Sequence, residues 1–395
     1  MNLRKNLGRV ASTIVATALL ASVATVPAFA AAGEVVNGAS FSIEKVVKKD
    51  AGVYSPATTF TFKIAEATPG ANETRDNMKV EAGDIRVFDN TKDEAATEHE
   101  ITVQYTADDT DLTKTEVSKS TAAITLGTTG LTHAGVYKYT ITEQTGTYKG
   151  VSYDTTPKDL FVYVGYAADD TNQAGPLQVL YTVVVDEDNT EYDGGKTNNV
   201  VNDYGVEDSD DKLGNLTIEK TVTGAQGDKE SDFQFTIKIN GQTGEKYAAT
   251  VYTKGADGTY PATSTETYTF ETGNSKTIAM HHGEKIVITG LSADDTYEIS
   301  EVEADQNGYT TTVTGANAND TFDIVDEDKI STGSIATVAT DDDGDKVDAN
   351  KTIVYTNKRD ASTPTGIVMN VAPYALLVVV AVAGCFVFLR KRNED

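Results

Sequence analysis

The 395-residue chain has no tryptophan, four histidines, eight prolines and a single cysteine, and each scarcity excludes something. That cysteine, Cys385, lies in an apolar run near the C-terminus, so the rest of the chain cannot form an internal disulfide. His99, His133, His281 and His282 lack zinc-protease spacing, and neither a phosphate-binding glycine loop nor a Gly-x-Ser-x-Gly elbow occurs. Asp341-Asp342-Asp343-Gly344-Asp345 lacks the glycine and terminal glutamate positions of a calcium loop and reads as a solvated acidic turn. No metal site, cofactor or catalytic constellation for an external substrate is expected. Basic residues are also in deficit, 33 Lys and Arg against 60 Asp and Glu for a formal net charge of -27, which argues against a nucleic-acid partner.

The apolar residues that are present are concentrated at the ends. Arg4, Lys5 and Arg9 precede a mostly apolar stretch from Val10 to Val26, and Ala28-Phe29-Ala30 closes it. This order describes a secretory signal peptide, residues 1–30, cut after Ala30. At the other end, residues 361–395 form a tripartite signal: Ser362-Thr363-Pro364-Thr365-Gly366, an apolar run over 371–389, and a basic tail from Arg390. The run is long enough to cross a bilayer as a helix, and the basic tail would hold its end in the cytoplasm. A plain membrane anchor accounts for this. A cell-wall sorting signal accounts for it too, with the Thr365-Gly366 bond placed where an external transpeptidase can reach it.

Between these signals lie short alternating runs such as Phe60-Thr61-Phe62-Lys63-Ile64 and Leu160-Phe161-Val162-Tyr163-Val164, parted by Gly, Asn and Asp. The pattern predicts an all-β protein of tandem sandwiches. Landmarks recur in order. Phe41-Ser42-Ile43-Glu44-Lys45 answers to Leu216-Thr217-Ile218-Glu219-Lys220, and Tyr139-Thr140-Ile141-Thr142-Glu143 answers to Tyr297-Glu298-Ile299-Ser300-Glu301. Asn202 and Asn357 each sit in a late apolar run. Two immunoglobulin-like domains are therefore expected, at 31–206 and 215–360, joined by an acidic linker at 207–214.

Residues two apart on a strand share a face, so Lys45 and Lys220 are predicted to point into the cores, as are Glu143 and Glu301. An unpaired buried charge is too costly to leave standing. One solution is a buried Lys-Glu ion pair near the Asn. Another is reactive: an apolar pocket neutralises both groups, the amine attacks the Asn carbonyl, the acid shuttles a proton, and ammonia leaves. Spacing leaves both open.

Gly150-Val151-Ser152-Tyr153-Asp154-Thr155-Thr156, the Tyr-x-x-x-Glu stretches and the end from Pro364 to Tyr374 carry a resemblance. The chain resembles the major shaft pilins of Gram-positive bacteria, of the streptococcal T-antigen or FctA type, over nearly the whole mature region. That resemblance implies a self-formed isopeptide bond in each domain, Lys45 to Asn202 promoted by Glu143 and Lys220 to Asn357 promoted by Glu301. It also implies a pilin-specific sortase that cleaves after Thr365 and joins it to a lysine of an identical subunit. The family's spacing points to Lys196 as that acceptor, with Lys158 in Pro157-Lys158 as the rival. Ser362-Thr363 stand where sorting signals usually begin with Leu-Pro, which suggests a dedicated sortase. The implied protein is not an enzyme but a secreted, wall-linked fibre subunit, with peptidoglycan, ancillary pilins and host surfaces as further partners and adhesion as its purpose. A wall-anchored adhesin or non-polymerising minor pilin is the alternative.

Overall fold

The computed structural model describes residues 36–37, 40–88, 97–167, 176–186, 197, 199–205, 212–261, 266–293, 295–316, 322–325, 329–334 and 350–361, with 377–378 and 381–382 beyond them. The signal peptide, Lys196, the acidic turn at 341–345, Thr365 and Gly366 lie outside the described residues, as does nearly all of the 371–389 run. No helix among the described residues is long and apolar enough to cross a membrane.

The described residues are almost wholly β, as the alternation predicts, and build two sandwiches. In the first, one sheet runs Val36–Asn37, Leu177–Val185, Lys158–Tyr166, Gly135–Glu143, Thr59–Glu66, Glu98–Gln104. It faces a sheet ordered Val151–Ser152, Asn199–Tyr204, Glu44–Lys49, Glu116–Ser120. In the second, the order Glu266–Glu271, Lys246–Thr253, Glu284–Leu291, Gly214–Thr223, Lys351–Lys358, Thr310–Gly315 faces Ser275–Met280, Phe233–Asn240, Thr296–Glu301, Ile330–Ser334, Asp323–Val325. Each pair of sheets encloses its own core. Phe60, Phe62, Tyr139 and Leu160 lie in the first, and Phe235, Tyr247, Ile299 and Tyr355 in the second.

Strict alternation is visible in Gly214–Thr223, where every second residue from Gly214 to Val222 is buried. Lys158–Tyr166 departs from it, being buried on both faces. The reason is a second small core on the outside of that sheet, where Val80, Val136, Phe161 and Tyr163 pack together under the short strands Thr74–Arg75 and Met78–Ala82.

One expected strand is interrupted. Ser40–Phe41 pairs with Ile124–Thr125, and a new strand begins at Glu44. The break occurs because the Thr121 hydroxyl accepts the Ile43 N–H at 3.1 Å while Thr121 N–H donates to Ile43 O at 2.9 Å. Parity survives it, so Phe41, Ile43 and Lys45 all remain buried on the inner face.

In each sandwich an early strand and the last strand are parallel neighbours. Glu44–Lys49 lies beside Asn199–Tyr204, and Gly214–Thr223 beside Lys351–Lys358. Where the chain leaves the first sandwich, Gly205 takes a left-handed φ of +62°, and a Cβ there would come within 2.1 Å of the Leu213 Cγ. Glycine is required there both for its backbone conformation and for the close approach of Leu213.

Candidate functional site

Parallel pairing brings the lysine and asparagine of each sandwich together with the same offset. Lys45 stands opposite Val200, and Asn202 is two residues further along, on the same face. Lys220 stands opposite Tyr355, and Asn357 is again two residues further. The glutamate arrives from the facing sheet, where Glu143 pairs with Phe62 and Glu301 with Phe235. Two sequence regions with little identity thus place three groups in one arrangement.

In the first sandwich Lys45 Nζ donates to Glu143 Oε2 at 2.9 Å, and Asn202 Nδ2 donates to Glu143 Oε1 at 2.7 Å. In the second, Lys220 Nζ donates to Glu301 Oε2 at 2.7 Å, and Asn357 Nδ2 donates to Glu301 Oε1. Both Lys-Glu pairs have fully buried side chains, and Asn202 and Asn357 are 1% and 0% exposed. Aromatic rings complete each pocket: Lys45 Nζ lies 4.8 Å from the Phe60 ring centre, and Lys220 Nζ 4.0 Å from that of Phe233.

Burial is the dominant influence on these amines. It lowers Lys45 to about 8, with the charge and hydrogen bond of Glu143 only partly offsetting it. Lys220 is lowered by burial to about 8 as well, against the pull of Glu301. Burial also raises the Glu143 carboxyl, although Lys45 and Asn202 oppose it. A carboxyl that bridges an amine and an amide nitrogen can exchange a proton with either. One proton moved from Lys45 to Glu143 gives an uncharged nucleophile beside an acid, in a pocket that disfavours both charges.

The sites differ at the amide oxygen. Asn202 Oδ1 accepts the Asp154 backbone N–H at 2.8 Å, whereas Asn357 Oδ1 is buried and has no hydrogen-bond partner among the described residues.

Lys158, the rival acceptor, is 3% exposed and held by Asp154 at 2.9 Å and Asp186 at 2.8 Å, so its amine is not presented at the surface. Three further buried charged residues, Lys49, Glu245 and Asp295, were not singled out by sequence reading. Lys49 is 1% exposed and donates to the carbonyls of Lys114 at 2.7 Å and Asp111 at 3.3 Å. Its parity with Lys45 and Val47 was the signal. Glu245 and Asp295 are both buried and share the Tyr247 hydroxyl, at 2.8 and 3.2 Å. Here alternation placed Glu245 with Tyr247, but nothing local indicated Asp295.

Comparison with known proteins follows the same division. Residues 214–359, the second sandwich, match a family described as a domain of unknown function, DUF7601. A curated pilin of Streptococcus pyogenes serotype M1 is 29% identical over 389 residues, covering 95% of this chain and 98% of the relative. The pilus tip adhesin Cpa of S. pyogenes is 35% identical over 89 residues, only 22% of this chain and 12% of the adhesin. The solved structure of a major pilin protein, T3.2, from S. pyogenes superposes with a TM-score of 0.52 at 23% identity, covering 83% of this chain and all of that one. At that identity the likeness establishes the fold.

Proposed function

We infer that this chain is a pilin, the structural subunit of a cell-surface pilus, and that it forms the shaft rather than the tip. Its correspondence with the curated pilin runs end to end, whereas that with the tip adhesin stops at a tenth or so of the adhesin. The observation that carries the chemistry is the recurrence of Lys, Glu and Asn at the same strand offset in both sandwiches. In each, the amine attacks the Asn side-chain carbonyl, the carboxyl passes a proton to the departing nitrogen, and an isopeptide bond replaces the ion pair. Lys45 joins Asn202 and Lys220 joins Asn357. Each reaction happens once per molecule, so the protein is a product of its own chemistry and not an enzyme.

The fibre grows when a pilin-specific sortase cleaves Thr365-Gly366 and joins Thr365 to Lys196 of the next, identical subunit. Lys196 directly follows two glycines in the sequence, Gly194 and Gly195. Residues 1–30 direct export, 31–206 and 215–360 are the two domains, and the 371–389 segment retains the chain in the membrane until it is sorted. The final join is to peptidoglycan, and ancillary pilins and host surfaces complete its partners.

Two measurements test this reading. The mass of the mature chain should fall short of its sequence by two ammonia molecules, and Glu143→Ala or Glu301→Ala should each restore one. An unmodified mass would return Lys45 and Lys220 to ion pairing. In a cell-wall extract, Lys196→Ala should abolish the ladder of high-mass polymers. If Lys196→Ala and Lys158→Ala both leave the ladder intact, the shaft assignment fails.

A further inference from the structure

The asymmetry between the two asparagine oxygens bears on how each bond forms. Attack on a side-chain amide moves charge onto its oxygen, and a fixed donor aimed there stabilises that charge. Asn202 has such a donor, the Asp154 N–H, while Asn357 Oδ1 has none among the described residues.

The Asp154 N–H is held in place by its own side chain. Asp154 Oδ1 accepts the Thr156 N–H at 3.0 Å, closing a tight turn, and Oδ2 accepts Lys158 Nζ at 2.9 Å. Lys158 stands at the first position of the strand Lys158–Tyr166 and is tied across to Asp186 at 2.8 Å. Burial opposes charge on Lys158, but its hydrogen bonds to Asp186 and Asp154 outweigh burial and raise the amine above its usual value. The ammonium is therefore a fixed peg that joins the turn to the sheet. Among the described residues of the second sandwich, none takes either role at Asn357.

We propose that the Asp154 backbone N–H is the oxyanion donor for closure of the Lys45-Asn202 bond, and that Lys158 is a positioning residue that holds it there. This rests on the cross-linking reading above. The uncharged Lys45 Nζ adds to Asn202 Cγ, and the carbonyl electron pair moves onto Oδ1, where the hydrogen bond donated by the Asp154 N–H stabilises the negative charge. As the carbonyl re-forms, the Cγ–Nδ2 bond breaks. One proton lost by Nζ travels through Glu143 to Nδ2, which leaves as ammonia. The Lys220-Asn357 bond closes without that donor and therefore more slowly.

The test uses the full chain, pulse-labelled during synthesis, with peptide mapping to follow the appearance of both linked peptides in one sample. Losing a single oxyanion donor typically lowers a rate by about 10²–10³-fold. In the wild type the Lys45-Asn202 peptide should appear faster than Lys220-Asn357 by a factor of that order. Lys158→Met should slow the first bond at least about tenfold and leave the second unchanged, and Lys158→Arg should restore it. Asp154→Asn, which keeps the turn but weakens the tie to Lys158, should fall between. Equal wild-type rates, an unaffected first bond in Lys158→Met, or equal slowing of both bonds would overturn the proposal. So would recovery of Lys158 joined to Thr365. Absence of both linked peptides from the wild type would instead overturn the cross-links themselves, a separate failure.

Discussion

Replacing Asn202 by Ala removes the acceptor of the first bond while leaving the Lys45–Glu143 pair at 2.9 Å in place. A Lys45-Asn202 bond closes a loop of roughly 160 residues, and the chain-entropy relation used for disulfides assigns such a closure about 5 kcal/mol. The substitution also strips a hydrogen bond each from Glu143 and Asp154, which is worth about 1–3 kcal/mol and would be lost even without a cross-link. A double-mutant cycle separates the two. In a Glu143→Ala background the bond cannot form, so Asn202→Ala there removes only local contacts. The coupling between the substitutions should therefore be about 5 kcal/mol, which in a domain of this size is about 10–20 °C in Tm by scanning calorimetry. A coupling no larger than about 1–3 kcal/mol, the worth of the direct Glu143–Asn202 hydrogen bond alone, would refute a covalent link between these strands.

Asp295 gives a pH dependence whose sign is fixed. Burial, and then the charge of Glu245, push it up to about 7 from an ordinary 3.8. Between those values the folded chain holds a proton that the unfolded chain has released. Stability is full near pH 4 and is lost as pH rises to about 7, by at most about 4 kcal/mol. Asp295→Asn should flatten this slope in melts taken across the range, and an unchanged slope would refute the assignment. Lys49→Met should cost about 1.5–3 kcal/mol through lost charged hydrogen bonds and should speed amide exchange over residues 111–115; unaltered exchange there would show that the amine does not hold that loop.

The fold class and the triads were legible because period-2 burial depends on residues close in sequence. Parity alone places Lys45 with Ile43, and Glu143 with Ile141 and Tyr139. The broken strand at Ser42 could not be read, since its cause is Thr121, 78 positions from Ile43. The outer core beneath Thr74–Ala82 was hidden for a related reason. Phe161 and Tyr163 alternate onto the outer face of a strand, and they are buried by Val80, Arg75, Tyr181 and neighbouring valines that the fold brings to that face. The Asp154 donor escaped because it is a backbone group, and side-chain patterns carry no record of where an N–H points.

On the proposed joints, the two proposed cross-links would have different mechanical roles. Tension entering at Lys196 passes along Asn199–Tyr204 and out through the linker, so the rest of the first sandwich, Lys45 included, hangs beside the load path. A Lys45-Asn202 bond cannot carry that tension; it keeps the loaded strand from being drawn out of its sheet. In the second sandwich the load arrives at Gly214 and must leave beyond Lys358, on a neighbouring parallel strand. Strands pulled from opposite ends in this way shear across their whole ladder of hydrogen bonds. A Lys220-Asn357 bond spans that ladder near its far end and transfers the force through covalent atoms alone. The second bond would therefore be the one on which fibre extension depends, although the Asn357 oxygen lacks, among the described residues, the donor that Asn202 has. A slow closure there is tolerable only if it is complete before the subunit is put under load, which requires the bond to form before sorting rather than in the assembled fibre.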